Sequence, residues 1–312
     1  MNSLTQKTNT QLTGDTHALS IIPEESLWLA NFTSKQTRRT YQTAVSEFLA
    51  FHNITAVEDL HQISAGHLIT WRDALTEAGA KPRTINNRMS ALSSLFDHLC
   101  NKQVVTINPV NGLKRPKVNQ DRVETPIITK QQVRSILDAP NLEKLKGLRD
   151  SAMLHILFFC GCRASEVTTL KRSDYFMDGG YWVLDFTVKG GKKNRLAIHP
   201  EATIAIDRYL AAVSHGQEQQ AYLFQRTQKP DGSKLSYNTI EQVFQHYAKQ
   251  VGLPQGATLH SARATFITEA LKNNCLLEDV QASVAHADIS TTQMYDKRVR
   301  GYKESASFKV SF

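Results

Sequence analysis

The sequence lacks any apolar run approaching the ~18 residues that a membrane span requires. Its start, MNSLTQKTNTQLTGDTH, has no apolar stretch of the signal-peptide kind, so a cytoplasmic location is expected. Cysteine is scarce. Four residues, Cys100, Cys160, Cys162 and Cys275, are too scattered to staple a chain of 312 with disulfides. Cys160 and Cys162 stand closer together than the usual zinc pair, and no second Cys or His pair lies nearby. They read as core thiols. Acidic excess is absent too: 37 Lys+Arg against 29 Asp+Glu give a formal charge of +8. Residues 1–118 carry 12 against 9 and residues 119–312 carry 25 against 20, so both halves share the surplus. Such a balance suits a polyanionic partner, though many basic soluble proteins have it.

What is present is enough for two domains of ordinary size, with 41% hydrophobic residues to build their cores. Residues 1–22, rich in Thr, Asn, Gln and Ser, read as a flexible tail. Residues 23–107 read as a helical domain. TSKQTRRTYQTAVSEFLAFH places Tyr41, Val45, Phe48 and Leu49 on one helical face, and a second helix is expected over 65–77. A third, from Thr84 to Cys100, would bury Ile85, Met89, Leu92, Phe96 and Leu99. Lys35, Arg38 and Arg39 gather near the start of the first, and Arg83, Asn86, Asn87 and Arg88 at the start of the third. Each cluster is either a solvated helix face or a phosphate contact.

Residues 108–126 combine prolines, Gly112 and the basic set Lys114, Arg115 and Lys117 without apolar periodicity, and read as a basic interdomain linker. Residues 127–312 form the second domain. Thr129 to Gln132 is a capping box, and LKGLRDSAMLHILFFCG a strongly apolar helix. YWVLDFTV, Gly190-Gly191 and NRLAI make a β-hairpin. Helical patterns return in EATIAIDRYLAAV, TIEQVFQHYAKQV, HSAR and EDVQASVAH. The fold class is therefore mainly α with a small antiparallel β-sheet.

Six polar residues of this second domain share one chemistry: Arg163 in GCRASEV, Lys189 in VKGGKK, His260 and Arg263 in HSAR, His286 in VAH, and Tyr295 in TTQMYD. Two guanidiniums can clamp the non-bridging oxygens of a phosphodiester. Two imidazoles can complete the clamp or move protons, a lysine can protonate a leaving oxygen, and a phenol can attack phosphorus. Lys192 and Lys193 lie just past the hairpin turn, and either could share or replace the role of Lys189.

The order and spacing resemble the tyrosine recombinase, or phage integrase, family, of its simple two-domain, Xer-like type. The family's G-x-R-x-x-E segment is here Gly161 to Glu166, its H-x-x-R box His260 to Arg263, and its histidine lies nine residues before the tyrosine, as His286 does before Tyr295. Ser290-Thr291-Thr292 is similar to the S-T-T run of the family. Ala285 in place of the common Gly, Ala262 in place of the common Leu, and a longer hairpin are departures that leave the chemical groups in place.

The resemblance implies a SAM-like helical core-binding domain followed by an α+β catalytic domain. It implies a site-specific recombinase that cuts and rejoins DNA through a 3′-phosphotyrosyl intermediate and a Holliday junction, for integration, excision or resolution of DNA elements. Tyr295 would be the nucleophile and Lys189 the general acid, with Glu166 positioning Arg163. Lys35, Arg38, Arg39, Arg83, Asn86, Asn87, Arg88, Lys114, Arg115, Lys117, Lys192 and Lys193 would contact DNA. No cofactor and no metal is implied. The implied partners are double-stranded DNA with an inverted-repeat core site and three further copies in a tetramer on synapsed DNA, the free protein being mostly monomeric. A partner recombinase or DNA-bending protein stays open, no membrane is involved, and the cytoplasmic location becomes nucleoid-associated in a bacterium. Phe308, Val310 and Phe312 would anchor the tail in a neighbouring protomer, unless the tail is frayed. Two rivals remain: a relaxing enzyme of the type IB topoisomerase kind, and a DNA-binding accessory protein without catalysis.

Overall fold

Helical spacing of apolar residues organises both parts of the chain in the computed structural model, which describes residues 21–22, 25–117, 125–188, 190–228 and 231–296. The chain divides into two units, Met1–Asn119 and Gln120–Phe312. The first holds α1 (Glu25–Ala30), α2 (Lys35–Phe51), α3 (Val57–Leu60), α4 (Ala65–Glu77) and α5 (Pro82–Asn101). Ser34 starts α2 by accepting the Thr37 N–H at 3.3 Å. Pro82 starts α5, where a missing N–H breaks no helical bond. Val45, Phe48 and Leu49 of α2 meet Leu92, Phe96 and Leu99 of α5 in one core with Trp28 and Trp71. Tyr41 is only partly buried at the edge of that core, set edge-on to Phe32 at 4.8 Å.

Residues 108–117, read from the sequence as the start of a linker, are held on this first unit. Asn108 is buried and donates to the Ser93 carbonyl at 2.9 Å and to Asp97 Oδ1 at 2.8 Å, while its Oδ1 accepts the Val110 N–H at 2.9 Å. Val110 fills the same core. Arg72 and Asn86 donate to the carbonyls of Lys114 and Pro116, each at 3.0 Å. A side-chain amide satisfying a turn leaves no periodicity for a sequence reading to find. Residues 118–124 of the expected linker, most of the expected tail, and Phe308, Val310 and Phe312 lie outside the described residues.

The second unit contains α6 (Lys130–Asp138), α7 (Leu145–Cys160), α8 (Ala164–Val167), β1 (Tyr175–Asp178), β2 (Tyr181–Thr187), β3 (Lys193–Ala197), α9 (Pro200–Ala212), α10 (Tyr237–Gln250), α11 (Leu259–Lys272), α12 (Leu277–Ser283) and α13 (Ile289–Gln293). The Thr129 box closes both ways: Thr129 Oγ1 accepts the Gln132 N–H at 3.3 Å, and Gln132 Oε1 accepts the Thr129 N–H at 3.0 Å. Helix α7 is buried along most of its circumference and packs against α9 and α11, which makes it the centre of this unit.

The sheet is antiparallel in the order β1-β2-β3, with Tyr175 opposite Leu184 and Val183 opposite Ala197. The hairpin of β2 and β3 was expected; β1 was not. Its four residues are mostly exposed and show no clear alternation, and the signal lay in the turn that follows. Gly179 and Gly180 both have positive φ, 56° and 85°, which a two-residue hairpin of the favoured hand requires.

Near the start of α7, the sequence buries a charge pair. Arg149 donates to Asp150 Oδ1 through Nε at 3.0 Å and Nη2 at 2.7 Å, and to the Gln225 carbonyl through Nη1 at 3.3 Å. The Tyr247 hydroxyl of α10 donates to the other Asp150 oxygen at 3.2 Å. Removing one partner would leave Arg149 charged and alone in the core. Asp150→Ala should therefore destabilise this unit by about 3–5 kcal/mol, read from chemical denaturation; a loss below about 1 kcal/mol would mean the pair behaves like a surface bridge.

Candidate active site

The turn after α7 sets the site. Gly161 ends the helix at φ +57°, and a Cβ there would stand 2.3 Å from Phe266 Cδ1 on α11. Only glycine permits both the left-handed turn and the close approach of α11. Its carbonyl, aimed across that contact, accepts Arg263 Nη1 at 2.7 Å, and the Val284 carbonyl after α12 accepts Nη2 at 2.6 Å. Arg263 is only 4% exposed; its guanidinium donates to these two backbone oxygens, and the Glu166 carboxylate nearby offsets part of its charge.

Arg163 caps the start of α8 on the other side of the same turn. Glu166, one helical turn on, grips it twice: Oε1 accepts Arg163 Nη1 at 2.7 Å and Oε2 accepts the Arg163 N–H at 2.8 Å. The two guanidiniums act on each other. Burial first, and the Arg163 charge second, pull Arg263 down to about 10. A pair of arginines arranged so that each raises the cost of the other's charge is a site prepared for an anion.

His286 follows α12 and shares this field. Burial, then Arg263, then Arg163, pull its imidazole down to about 4, so it is neutral at physiological pH. Its Nδ1 lies 2.9 Å from Thr292 Oγ1 on α13. Tyr295 comes just after α13, its N–H donating to the Thr292 carbonyl at 3.0 Å. The ring is partly buried against the small cluster of Ile267, Leu271, Val280 and Val284, and the phenol acts electrostatically on Arg263. His260 is exposed, one helical turn before Arg263 on α11. It lines a cleft of about 130 Å³ with Cys162, Arg163, Ser165, Tyr237 and Arg263.

The structure thus brings Arg163, Glu166, His260, Arg263, His286 and Tyr295 of the expected set to one place. Lys189 lies outside the described residues. Of its neighbours, Lys192 is exposed, whereas Lys193 gives its ammonium to Asp174 Oδ1 at 2.7 Å. Cys160 and Cys162 are buried, and burial pushes Cys160 up to about 12 and Cys162 well up, so both remain thiols. Among the described residues, no group of three or more His, Cys, Asp or Glu side chains is placed to hold a metal ion, and no helix is long and apolar enough to cross a membrane.

In the first unit, Lys35, Arg39, Arg83, Asn87, Lys114 and Lys117 are exposed. Others are engaged within the protein: Arg38 Nε donates to the Phe32 carbonyl at 2.6 Å, Arg88 pairs with Glu47 at 2.6 Å, and Arg115 Nη1 donates to Ser90 Oγ at 2.7 Å. Asn86 holds the Pro116 carbonyl. Arg39, Asn87 and Arg88 line one groove between α2 and α5 with Gln36, Thr40 and Thr43. Sequence reasoning missed the parts of the site that carry no distinctive side chain, namely the carbonyls of Gly161 and Val284. It quoted Thr292 only as part of a run.

Known proteins show where the chain belongs. The description of the phage integrase family matches residues 126–299, and that of the phage integrase N-terminal SAM-like domain matches residues 24–103. Tyrosine recombinase XerD of Pseudomonas putida is 28% identical over 278 residues, covering 87% of this chain and 89% of that protein. Tyrosine recombinase XerC of Herpetosiphon aurantiacus is 30% identical over 265 residues, covering 83% of each. In fold, the chain is similar to the XerH site-specific recombinase bound to difH substrate in a pre-cleavage complex (TM-score 0.69, 18% identity, 87% of this chain and 78% of that one). It is similar also to a lambda integrase dimer bound to a COC′ core site (TM-score 0.66, 16% identity, 86% and 93%). Family match and relatives together define a tyrosine-dependent DNA strand transferase. The chain belongs to the phage integrase family, the tyrosine recombinases.

The neutral histidine has a measurable consequence. Because the folded His286 binds its proton near pH 4 and the unfolded one near 6.5, the unfolded state gains protons first as the pH falls. The stability contribution is complete above pH 6.5 and is lost as the pH drops toward 4. Denaturation of the DNA-free protein across that window should show a declining stability whose slope is reduced in His286→Gln; an identical slope in both would refute the assignment.

Proposed function

We propose that this tyrosine recombinase binds an inverted-repeat DNA site, cuts one strand of each duplex with Tyr295 and exchanges the strands through a Holliday junction in a tetramer. The observation that supports it most is the electrostatic coupling of Arg163, His286 and Tyr295 to Arg263, beside a cleft lined by both arginines and His260. A free phenol has a pKa of ~10 and is a poor nucleophile at neutral pH, so a cationic surrounding is what its activation needs.

In the proposed reaction the Tyr295 oxygen attacks the scissile phosphorus, a P–O(Tyr) bond forms and the bond to the 5′ oxygen breaks. The phenol proton passes to solvent, and the Lys189 ammonium gives a proton to the departing 5′ oxygen, which leaves as a hydroxyl. Charge on the pentavalent state is met by the forks of Arg163 and Arg263, with His260 and His286 as further donors. The 3′-phosphotyrosyl ester keeps the energy of the phosphodiester, so a 5′ hydroxyl from the partner strand can reverse the step without ATP. The engagement of Lys193 by Asp174 argues against Lys193 as the acid and leaves that role to Lys189 or Lys192. Exposed Lys35, Arg39, Arg83, Asn87, Lys114, Lys117 and Lys192 would contact DNA, as would Arg38, Asn86, Arg88 and Arg115 after local rearrangement. The setting would be the cytoplasm of a bacterium, and the task integration, excision or resolution of a DNA element.

Covalent trapping tests the reading. In a bacterial host, SDS-stable protein–DNA adducts should form at one inverted-repeat sequence and disappear in Tyr295→Phe while DNA binding persists. Adducts scattered over the genome would instead indicate a relaxing topoisomerase, and their absence despite binding an accessory protein. On the isolated site, Arg263→Lys should lower the cleavage rate on the order of 10²–10³-fold, because a point charge cannot reproduce the planar fork. Near-normal cleavage by that variant would remove the bidentate role.

A further inference from the structure

Of the run Ser290-Thr291-Thr292, the third residue alone is fully enclosed. Thr292 is 0% exposed, while Ser290 is at the surface and Thr291 intermediate. Asp288 sets this register by capping α13, its Oδ1 accepting the Ser290 N–H at 2.9 Å. Turned inward, the Thr292 hydroxyl has one partner among the described residues, His286 Nδ1 at 2.9 Å. No described group bonds the other ring nitrogen.

The direction of that hydrogen bond decides what the histidine offers. A hydroxyl and an imidazole nitrogen can each donate, but a buried O–H proton without an acceptor is costly, whereas an oxygen lone pair left unused is much less so. Among the described residues the Thr292 proton has no acceptor except Nδ1. If the ring donated instead, that proton would be stranded in a fully buried position.

We propose that Thr292 is a positioning residue that sets the tautomer of His286: its hydroxyl donates to Nδ1 and so keeps the ring proton on Nε2, the nitrogen that no described group bonds, in a ring that feels the charges of Arg263 and Arg163. The inference rests on the recombinase reading for what the Nε2 proton does, which is to donate to a non-bridging phosphate oxygen. Because burial, then Arg263 and Arg163, keep the ring neutral, it carries a single N–H, and placing it on the wrong nitrogen would turn a lone pair toward the phosphate. Thr292 also accepts the Tyr295 N–H through its carbonyl, so one residue couples the histidine to the nucleophile's backbone.

The test is ¹⁵N-imidazole NMR of the DNA-free full chain, with the His286 signals assigned by their loss in His286→Gln. The wild type should show an unprotonated, pyridine-type Nδ1 and a protonated, pyrrole-type Nε2; the reverse pattern overturns the proposal without any variant at Thr292. Thr292→Ser should keep the tautomer and the cleavage rate. Thr292→Val should mix the tautomers and slow cleavage of the trapped site about 10- to 100-fold with DNA affinity retained. A folded Thr292→Val protein with an unchanged ring spectrum would refute the role. Should the wild type give no Tyr295-dependent adduct, the recombinase reading falls while the NMR result still decides the tautomer.

Discussion

Two guanidiniums that repel each other are held at one turn of the chain, and the rest of the catalytic unit can be understood as what keeps them there. Arg263 is buried and depends on two carbonyl oxygens, those of Gly161 and Val284, whose dipoles stabilise its charge without cancelling it. Arg163 is more exposed and depends on Glu166, which fixes both its side chain and its backbone N–H. The asymmetry matters. A carboxylate beside each arginine would quench the field that an incoming phosphate has to meet, whereas backbone oxygens hold geometry and leave positive charge available.

That arrangement requires a rigid base, and α7 supplies it. The helix is enclosed by α9 and α11 and tied near its start by the Arg149–Asp150–Tyr247 network, so its last residue delivers Gly161 to a set position. The left-handed turn then sends the chain into α8 with Arg163 at its cap, and lets Phe266 of α11 come close enough for Arg263 to reach back. A bulkier residue at the turn would push apart the two helices whose arginines have to converge. Packing is therefore part of the electrostatics: the separation of the charges is set by contact between apolar groups.

The same field acts on the remaining groups. With burial as the larger cause, it helps keep His286 neutral, which makes the histidine a donor or acceptor according to its tautomer and no third cation in the free protein. It also gives the phenol of Tyr295 cationic surroundings, while the small apolar cluster under α11 and α12 steadies its ring. In the first unit Arg38, Arg88 and Arg115 are likewise each engaged by an oxygen of their own domain. Those contacts shape the surface that α2 and α5 present.

The sequence by itself determined a good deal: the mainly helical class with one small sheet, the apolar faces of α2 and α5, the span of α4, the capping box before α6, the hairpin of β2 and β3, and the order and spacing of Arg163, His260, Arg263, His286 and Tyr295. These were legible because periodicity, caps and motif spacing are local, and side-chain chemistry can be read letter by letter. It did not reveal β1, whose residues lack alternation, nor the docking of Asn108 and Val110, which rests on an amide satisfying a turn. Nor could it say that Arg263 is held by carbonyls from α7 and α12, that Lys193 belongs to Asp174, or that Thr292 points inward at His286. Those facts depend on which backbone oxygens and charges lie within a few ångströms after folding. Tertiary structure decides them because electrostatic coupling depends on distance in space and on burial, and neither is written in the order of the residues.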